Sequence, residues 1–168
     1  MADALPSVDA LRLDRESWAR FGWIPVADSD PADGIGRLEF SWGDPHLNII
    51  SHDASEVPRS GDSLVCEMLY RHDSHTQALM VLDNDAVIAV APASAAFDEA
   101  GDIMQLTAFV LHQLDILVLG RGTWHWGPFP VRDSTVHLLN LQGMGYLKDN
   151  TMVDLAAAGL ACKVRAGG

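Results

Sequence analysis

Short stretches of alternating apolar and polar residues, separated by turn residues, constrain the fold of this chain most strongly. They recur at a spacing of roughly 8–12 residues, which is typical of an antiparallel sandwich or barrel. Alternation places one face of each strand against a core. The predicted strands are residues 11–13, 37–42, 46–51, 63–71, 76–82, 86–91, 105–111, 115–119 and 135–141.

Helical signals are confined to two short segments. Residues 14–17 form an acidic, capping-competent start for a helix that carries Trp18 and Phe21, and Gly22 is placed to end it. The tail from Val153 has helix propensity, which Gly159 weakens. The sequence therefore predicts an all-β protein with one or two short peripheral helices.

The length of 168 residues, 48% of them hydrophobic, suits one domain with a substantial core. We expect a single domain over 1–168, with its core at approximately 37–145 and a C-terminal tail at 150–168.

The formal net charge of −12 limits the partners of the protein. Such an acidic surface repels a phosphate backbone and anionic membranes, so we expect neither nucleic-acid nor membrane binding. No apolar stretch approaches the ~20 residues of a membrane span, and the first residues lack the features of a signal peptide. Cys66 and Cys162 lie far apart, in no zinc or pairing pattern. The sequence predicts a cytoplasmic location.

Two polar segments are the candidates for chemistry. Residues 71–77 read Arg-His-Asp-Ser-His-Thr-Gln at the start of a predicted strand, where His75 and Gln77 share one face. About 45 residues later, 120–126 read Gly-Arg-Gly-Thr-Trp-His-Trp, with a glycine turn that leads to His125. Trp124 and Trp126 are large apolar side chains that would line a pocket.

Together these segments resemble the two motifs of the cupin superfamily. Gly120-x-Gly122-x-x-His125 is similar to the second motif, Pro-x-Gly-x-x-His, and Asp73-x-His75-x-Gln77 occupies the usual His-x-His and Glu positions. The resemblance implies a cupin-type antiparallel β-barrel, that is, a jelly roll or double-stranded β-helix.

A more extensive resemblance, over residues 15–145, is to the ureidoglycolate lyase family. It rests on Arg71-His72, Thr76-Gln77-Ala78, Ala108-Phe109, Arg121-x-x-Trp124-His125 and the entry segment 18–24. It implies cleavage of ureidoglycolate to glyoxylate and urea in purine catabolism by a homodimer. The late strand carries Asn140-Leu141-Gln142 where the family tends to have an Asp-Arg pair, so we expect a more apolar pocket that lacks one carboxylate anchor.

The site residues follow from the two segments and this resemblance. Histidine titrates near neutral pH and suits acid–base catalysis, whereas arginine binds carboxylates with two parallel hydrogen bonds. The predicted catalytic residues are His125, His75 and Arg71, and the predicted substrate-binding residues are Gln77, Arg121, Trp124 and Trp126. If one divalent metal ion binds, His75, Gln77 and His125 would hold it; otherwise no cofactor is required.

Other interpretations of these residues stay open. His72 would point away from His75 on a regular strand, and His137 is expected to be structural. The alternatives to a lyase are a metal-dependent cupin dioxygenase or isomerase, in which His72 and His75 would be ligands, and a non-catalytic cupin that binds a small acid. Each would bind a small carboxylate.

Overall fold

A computed structural model describes residues 5–41 and 43–167. Its strands are β1 (Ser7–Arg12), β2 (Gly22–Trp23), β3 (Pro45–Asp53), β4 (Arg59–Ser60), β5 (Ser63–Cys66), β6 (Met68–Arg71), β7 (Gln77–Val81), β8 (Ala86–Ala91), β9 (Thr107–Leu111), β10 (Ile116–Leu119), β11 (Trp124–Pro130), β12 (Thr135–Gly143), β13 (Thr151–Asp154) and β14 (Cys162–Arg165).

Helices are few and short. The α-helix α1 spans Arg15–Trp18, and 3₁₀ turns occupy Ala54–Glu56, Ala100–Gln105 and Tyr146–Lys148. Asp14 caps α1 as predicted, because its side chain accepts hydrogen bonds from the amides of Glu16 and Ser17. Within the described ranges, no helix has the length and apolar character needed to cross a membrane.

The strands form two sheets that together make a jelly roll. The first has the order β13-β6-β11-β8-β9-β1-β14-β5-β4, and the second has the order β2-β10-β7-β12-β3. The strands β3, β6, β7 and β8 alternate between the two sheets, and so do the strands β9, β10, β11 and β12. This connectivity is that of a cupin barrel, so the predicted fold is confirmed.

The first sheet separates two hydrophobic cores. The barrel core lies between the sheets and contains Leu79 and Leu138 of the second sheet with Ile88 and Val90 of the first. Alternate residues of β8, such as Ala89, instead belong to an outer core on the other face of the first sheet. β8 is therefore buried on both faces, which explains its wholly apolar sequence.

Several predicted boundaries differ from those observed. The stretch 63–71 breaks at Glu67 into β5 and β6 because the backbone carbonyl of Glu67 accepts the amides of Leu155 and Ala156. In 37–42, Trp42 lies outside the described residues and only Phe40 forms an isolated bridge, with His75. Gly127-Pro128, a dipeptide typical of turns, is an irregularity inside β11.

The tail does not form the predicted helix. β13 pairs with β6, and β14 pairs with both β5 and β1. Val164 and Leu155 are fully buried in the outer core. Burial against the sheet thus overrides the weak local helix propensity of this alanine-rich segment.

Gly22 has a different role from the predicted helix cap. The helix already ends at Ala19, and Gly22 begins β2 opposite Leu119. A Cβ at position 22 would lie 1.8 Å from the carbonyl oxygen of Val118. The residue is glycine because two backbones approach each other too closely for a side chain.

We predict that Gly22→Ala lowers the free energy of unfolding by about 2 kcal/mol or more, since strand β2 must move away from β10. Urea denaturation measures the change. Gly101→Ala is the matched control, because a Cβ there would meet nothing within 4 Å. Equal stability of the two variants would contradict this account of Gly22.

Candidate active site

The two polar segments meet at one end of the barrel through backbone contacts. The amide of Gly122 donates to the carbonyl of His72 at 2.7 Å, and the Nε of Arg121 donates to the carbonyl of Asp73 at 2.9 Å. Gly122 has a φ of +75°, and a Cβ there would lie 3.0 Å from the Cβ of Ala93. A residue with a side chain would be strained in this turn.

Three histidines form a continuous cluster at this junction. The ring centroid of His72 lies 4.5 Å from that of His75, at an interplanar angle of 21°, and 5.3 Å from that of His125. His75 is 1% exposed and His125 is 8% exposed. His125 faces the barrel core because it pairs with Val90, a member of that core. The structure thus brings both predicted histidines close to a third, His72.

The expectation that His72 points away from His75 is wrong. β6 ends at Arg71 and β7 begins at Gln77, so His72 lies in a loop where strand alternation does not apply. The loop folds the two rings onto each other. The sequence signal that names His72 is its place in the Arg71-His72 pair of the family resemblance.

The Nδ1 atoms of His72 and His125 both face backbone carbonyls, those of Asp149 and Thr123 respectively. A carbonyl oxygen only accepts hydrogen bonds, so Nδ1 is the donor in each ring. In a neutral imidazole the Nε2 then carries a free lone pair. The Nδ1 of His75 lies 3.1 Å from the Asp149 carboxylate, which favours the same tautomer.

Asp149 organises the loop that holds the cluster, and the sequence analysis missed it. Its two carboxylate oxygens accept the amides of Asp73 and Ser74 at 2.9 and 2.7 Å. Burial raises the pKa of Asp149, but these two amides and the neighbouring histidines outweigh burial and hold the pKa below its ordinary value. Asp149 is 76 residues from Asp73 in the sequence. No local sequence pattern therefore predicts their contact.

Burial keeps the three histidines neutral. It lowers the pKa of His125 to about 3, with a further contribution from the neighbouring His72. Burial also lowers the pKa of His72, and burial together with His72 lowers that of His75. The site therefore holds neutral imidazoles near pH 7.

Side-chain amides form the adjoining wall of the barrel. The Nε2 of Gln77 donates to the Oδ1 of Asn140, and the Nδ2 of Asn140 donates to the Oδ1 of Asn48, each at 2.8 Å. Asn140 and Gln142 share the inward face of β12 with Leu138, and both are buried. Buried amides thus line the part of the barrel where the resemblance leads us to expect a more apolar pocket.

Two buried groups at this site have no hydrogen-bond partner among the described residues. They are the Oε1 of Gln77 and the ring nitrogens of His75. The contact between His75 and Asp149 has the distance of an ion pair without hydrogen-bond geometry. Unsatisfied buried polar atoms are costly, so these atoms are candidates for hydrogen bonds to a ligand.

Trp124, Trp126 and Arg71 lie on the other face of the first sheet. The two indoles alternate with His125 and pack in the outer core. The guanidinium of Arg71 lies 4.5 Å from the Trp124 ring. These three side chains are not brought together with the histidines, because neighbours along a strand point to opposite faces.

Arg121 is turned outward. Its guanidinium pairs with Glu39 at 3.0 Å, and its side chain is 49% exposed. Through this ion pair and its hydrogen bond to the carbonyl of Asp73, Arg121 connects the segment around Phe40 to the loop between β6 and β7. Neither arginine proposed from the sequence lies with the three histidines.

One family model matches residues 7–154 of the chain, and its description is ureidoglycolate lyase. The match covers most of the sequence. The chain belongs to the ureidoglycolate lyase family. None of the curated proteins matches it.

Similar solved structures include a dTDP sugar isomerase from Desulfovibrio desulfuricans G20. It is 14% identical, with a TM-score of 0.43, and the match covers 77% of this chain and 71% of that one. Oxalate oxidase is 13% identical, with a TM-score of 0.38 and coverage of 92% and 79%. An oxalate oxidase in complex with the substrate analogue glycolate gives the same identity and score.

In this family member the proposed metal ligands do not form a convincing set. In the described part of the chain, no three His, Cys, Asp or Glu side chains are grouped to hold a metal ion. His75, Gln77 and His125 offer two imidazoles and one amide oxygen, without a carboxylate to balance the charge of a divalent cation. We derive no step through a metal.

Because His125 has a depressed pKa, the unfolded chain binds more protons than the folded one between about pH 4 and 6. We predict that stability falls as pH falls through this range, and that His125→Gln reduces the slope by about 1 kcal/mol per pH unit. Urea unfolding at several pH values measures this slope. His112→Gln, at an exposed position outside the cluster, is the control; equal slopes in wild type and His125→Gln would contradict a buried neutral His125.

Proposed function

We propose that this protein cleaves ureidoglycolate to glyoxylate and urea. Beyond family membership, one observation carries the proposal: the site presents acceptors. The Nδ1 atoms of His72 and His125 donate to backbone carbonyls, so the Nε2 lone pairs of these rings are available as acceptors. The buried Oε1 of Gln77 is a third acceptor without a partner among the described residues. Such a site suits a ligand rich in N–H and O–H donors.

Ureidoglycolate has that chemistry. It is a hemiaminal with one hydroxyl, one secondary N–H and a terminal NH₂ beside its carboxylate. The hydroxyl matches a histidine base, and the ureido nitrogens match amide oxygens. Gln77 would bind either group.

The substrate carboxylate would be balanced by protonation of an imidazole. A bound anion raises the pKa of a neighbouring histidine, so the neutral cluster would take up one proton on binding. One ring of the cluster would then be an acid while another remains a base. No buried arginine is needed for this arrangement.

The reaction requires one base and one acid. We assign His125 and His75 to these roles: one neutral imidazole takes the hydroxyl proton as the C–O bond becomes a carbonyl and the C–N bond breaks. The electron pair of the broken bond stays on the urea nitrogen, which receives a proton from the other imidazole. The two histidines then exchange the proton back, and no net proton is gained or lost. His72, stacked on His75, would position the pair.

We predict that wild-type protein releases urea from ureidoglycolate above the uncatalysed rate, and that His125→Gln lowers kcat at least a hundredfold because an acid–base group is lost. Urea release and glyoxylate formation are measured in parallel. His112→Gln, outside the cluster, is the matched control and should keep wild-type activity. Circular dichroism checks that each variant is folded.

Near-normal activity of a folded His125→Gln would contradict the assignment. Absence of urea release by wild type would contradict the function itself. Stoichiometric iron, nickel or manganese in active protein would support the metal-dependent alternative, and binding of ureidoglycolate without turnover would support a small-acid-binding role.

A cytoplasmic location, a place in purine catabolism and a homodimer complete the proposal. β3 lies at the edge of the second sheet, where Leu47 is 62% exposed and Ile49 is 52% exposed. Exposed apolar edge strands are prone to pair with another chain. We predict a mass twice the 18.2 kDa of the chain by light scattering; a mass equal to one chain would contradict the dimer.

A further inference from the structure

The amides of Gln77, Asn140 and Asn48, which we call the amide relay, form a hydrogen-bonded chain with one direction. Gln77 donates to Asn140, and Asn140 donates to Asn48. The relay joins three neighbouring strands, β7, β12 and β3. Asn140 is fully buried, and Gln77 is 6% exposed.

The relay couples the end of the Gln77 amide that faces the site to the orientations of Asn140 and Asn48. If Gln77 turned over, Asn140 and then Asn48 would have to turn over as well to keep both hydrogen bonds. With Nε2 committed to Asn140, the buried and unpartnered Oε1 is left to receive a donor. An acceptor in that place binds an N–H or O–H group and rejects a carboxylate or a methyl group.

We propose that Asn48 and Asn140 are positioning residues that hold the Gln77 Oε1 as a fixed acceptor for the terminal NH₂ of a carbamoyl group. This inference rests on the proposed function and narrows its substrate class to small acids that end in an amide or ureido nitrogen. Asn140 stands in the strand where this chain departs from the Asp-Arg pair that its family tends to have.

Two stable acids of nearly the same shape test the inference. Ureidoacetate ends in a carbamoyl NH₂, and N-acetylglycine carries a methyl group in the same place; neither has the hydroxyl that cleavage requires. Isothermal titration of wild-type protein should give at least tenfold tighter binding of ureidoacetate, because the methyl group leaves Oε1 unpaired.

Asn48 is the position to vary, since it is only partly buried. Asn48→Asp keeps an oxygen to accept from Asn140, so the preference for ureidoacetate should remain tenfold or more. Asn48→Leu removes that acceptor and frees both amides to turn over, so the preference should fall below about threefold. If Asn48 had only a structural role, Asn48→Leu would weaken the binding of both acids equally. The ratio of their dissociation constants would then be unchanged.

An unchanged ratio in Asn48→Leu, equal binding of the two acids by wild type, or no binding of either would overturn the inference. These outcomes are separate from the test of the reaction. Urea release without a preference for ureidoacetate over N-acetylglycine would support the proposed function. The same result would contradict the positioning role of Asn48 and Asn140. A preference for ureidoacetate that depends on Asn48, without urea release, would uphold the relay and overturn the reaction.

Discussion

The hydrogen bond from the Gly122 amide to the His72 carbonyl joins the two segments on which the candidate site depends. It links the loop before strand β7 of the second sheet to the glycine turn before strand β11 of the first, and these two segments carry the three histidines. Asp149 completes the junction by accepting two loop amides. These contacts hold the loop that carries His72 and His75 against the segment that carries His125.

The junction also determines the charge state of the site. Its histidines are buried in an acidic protein, yet the carboxylate nearest to them is occupied by backbone amides and the arginines face elsewhere. Desolvation therefore dominates, and the imidazoles are neutral. Under the proposed function, such a neutral, acceptor-rich site would discriminate among small acids by their N–H and O–H groups rather than by charge alone.

Alternation and turn spacing in the sequence were enough to predict the all-β fold and the place of Gln77 on one face of a strand, whereas the family was predicted from the residues of the two polar segments. They failed where pairing partners are distant in sequence: the tail strands β13 and β14 have weak local propensity and form because a sheet edge is available. His72 was misplaced because a loop has no period, and Trp124 and Trp126 because the sheet proved to be buried on both faces. Asp149 had no local signal at all.

The central claim is that the histidine cluster is neutral, with Nδ1 protonated and Nε2 free. Nitrogen-15 NMR of imidazole-labelled protein measures both properties for each ring. At pH 7 we expect His72, His75 and His125 to give the shifts of the neutral Nδ1–H tautomer, with His125 still neutral at pH 5. Imidazolium shifts at pH 7, or the Nε2–H tautomer in His72 or His125, would contradict the account.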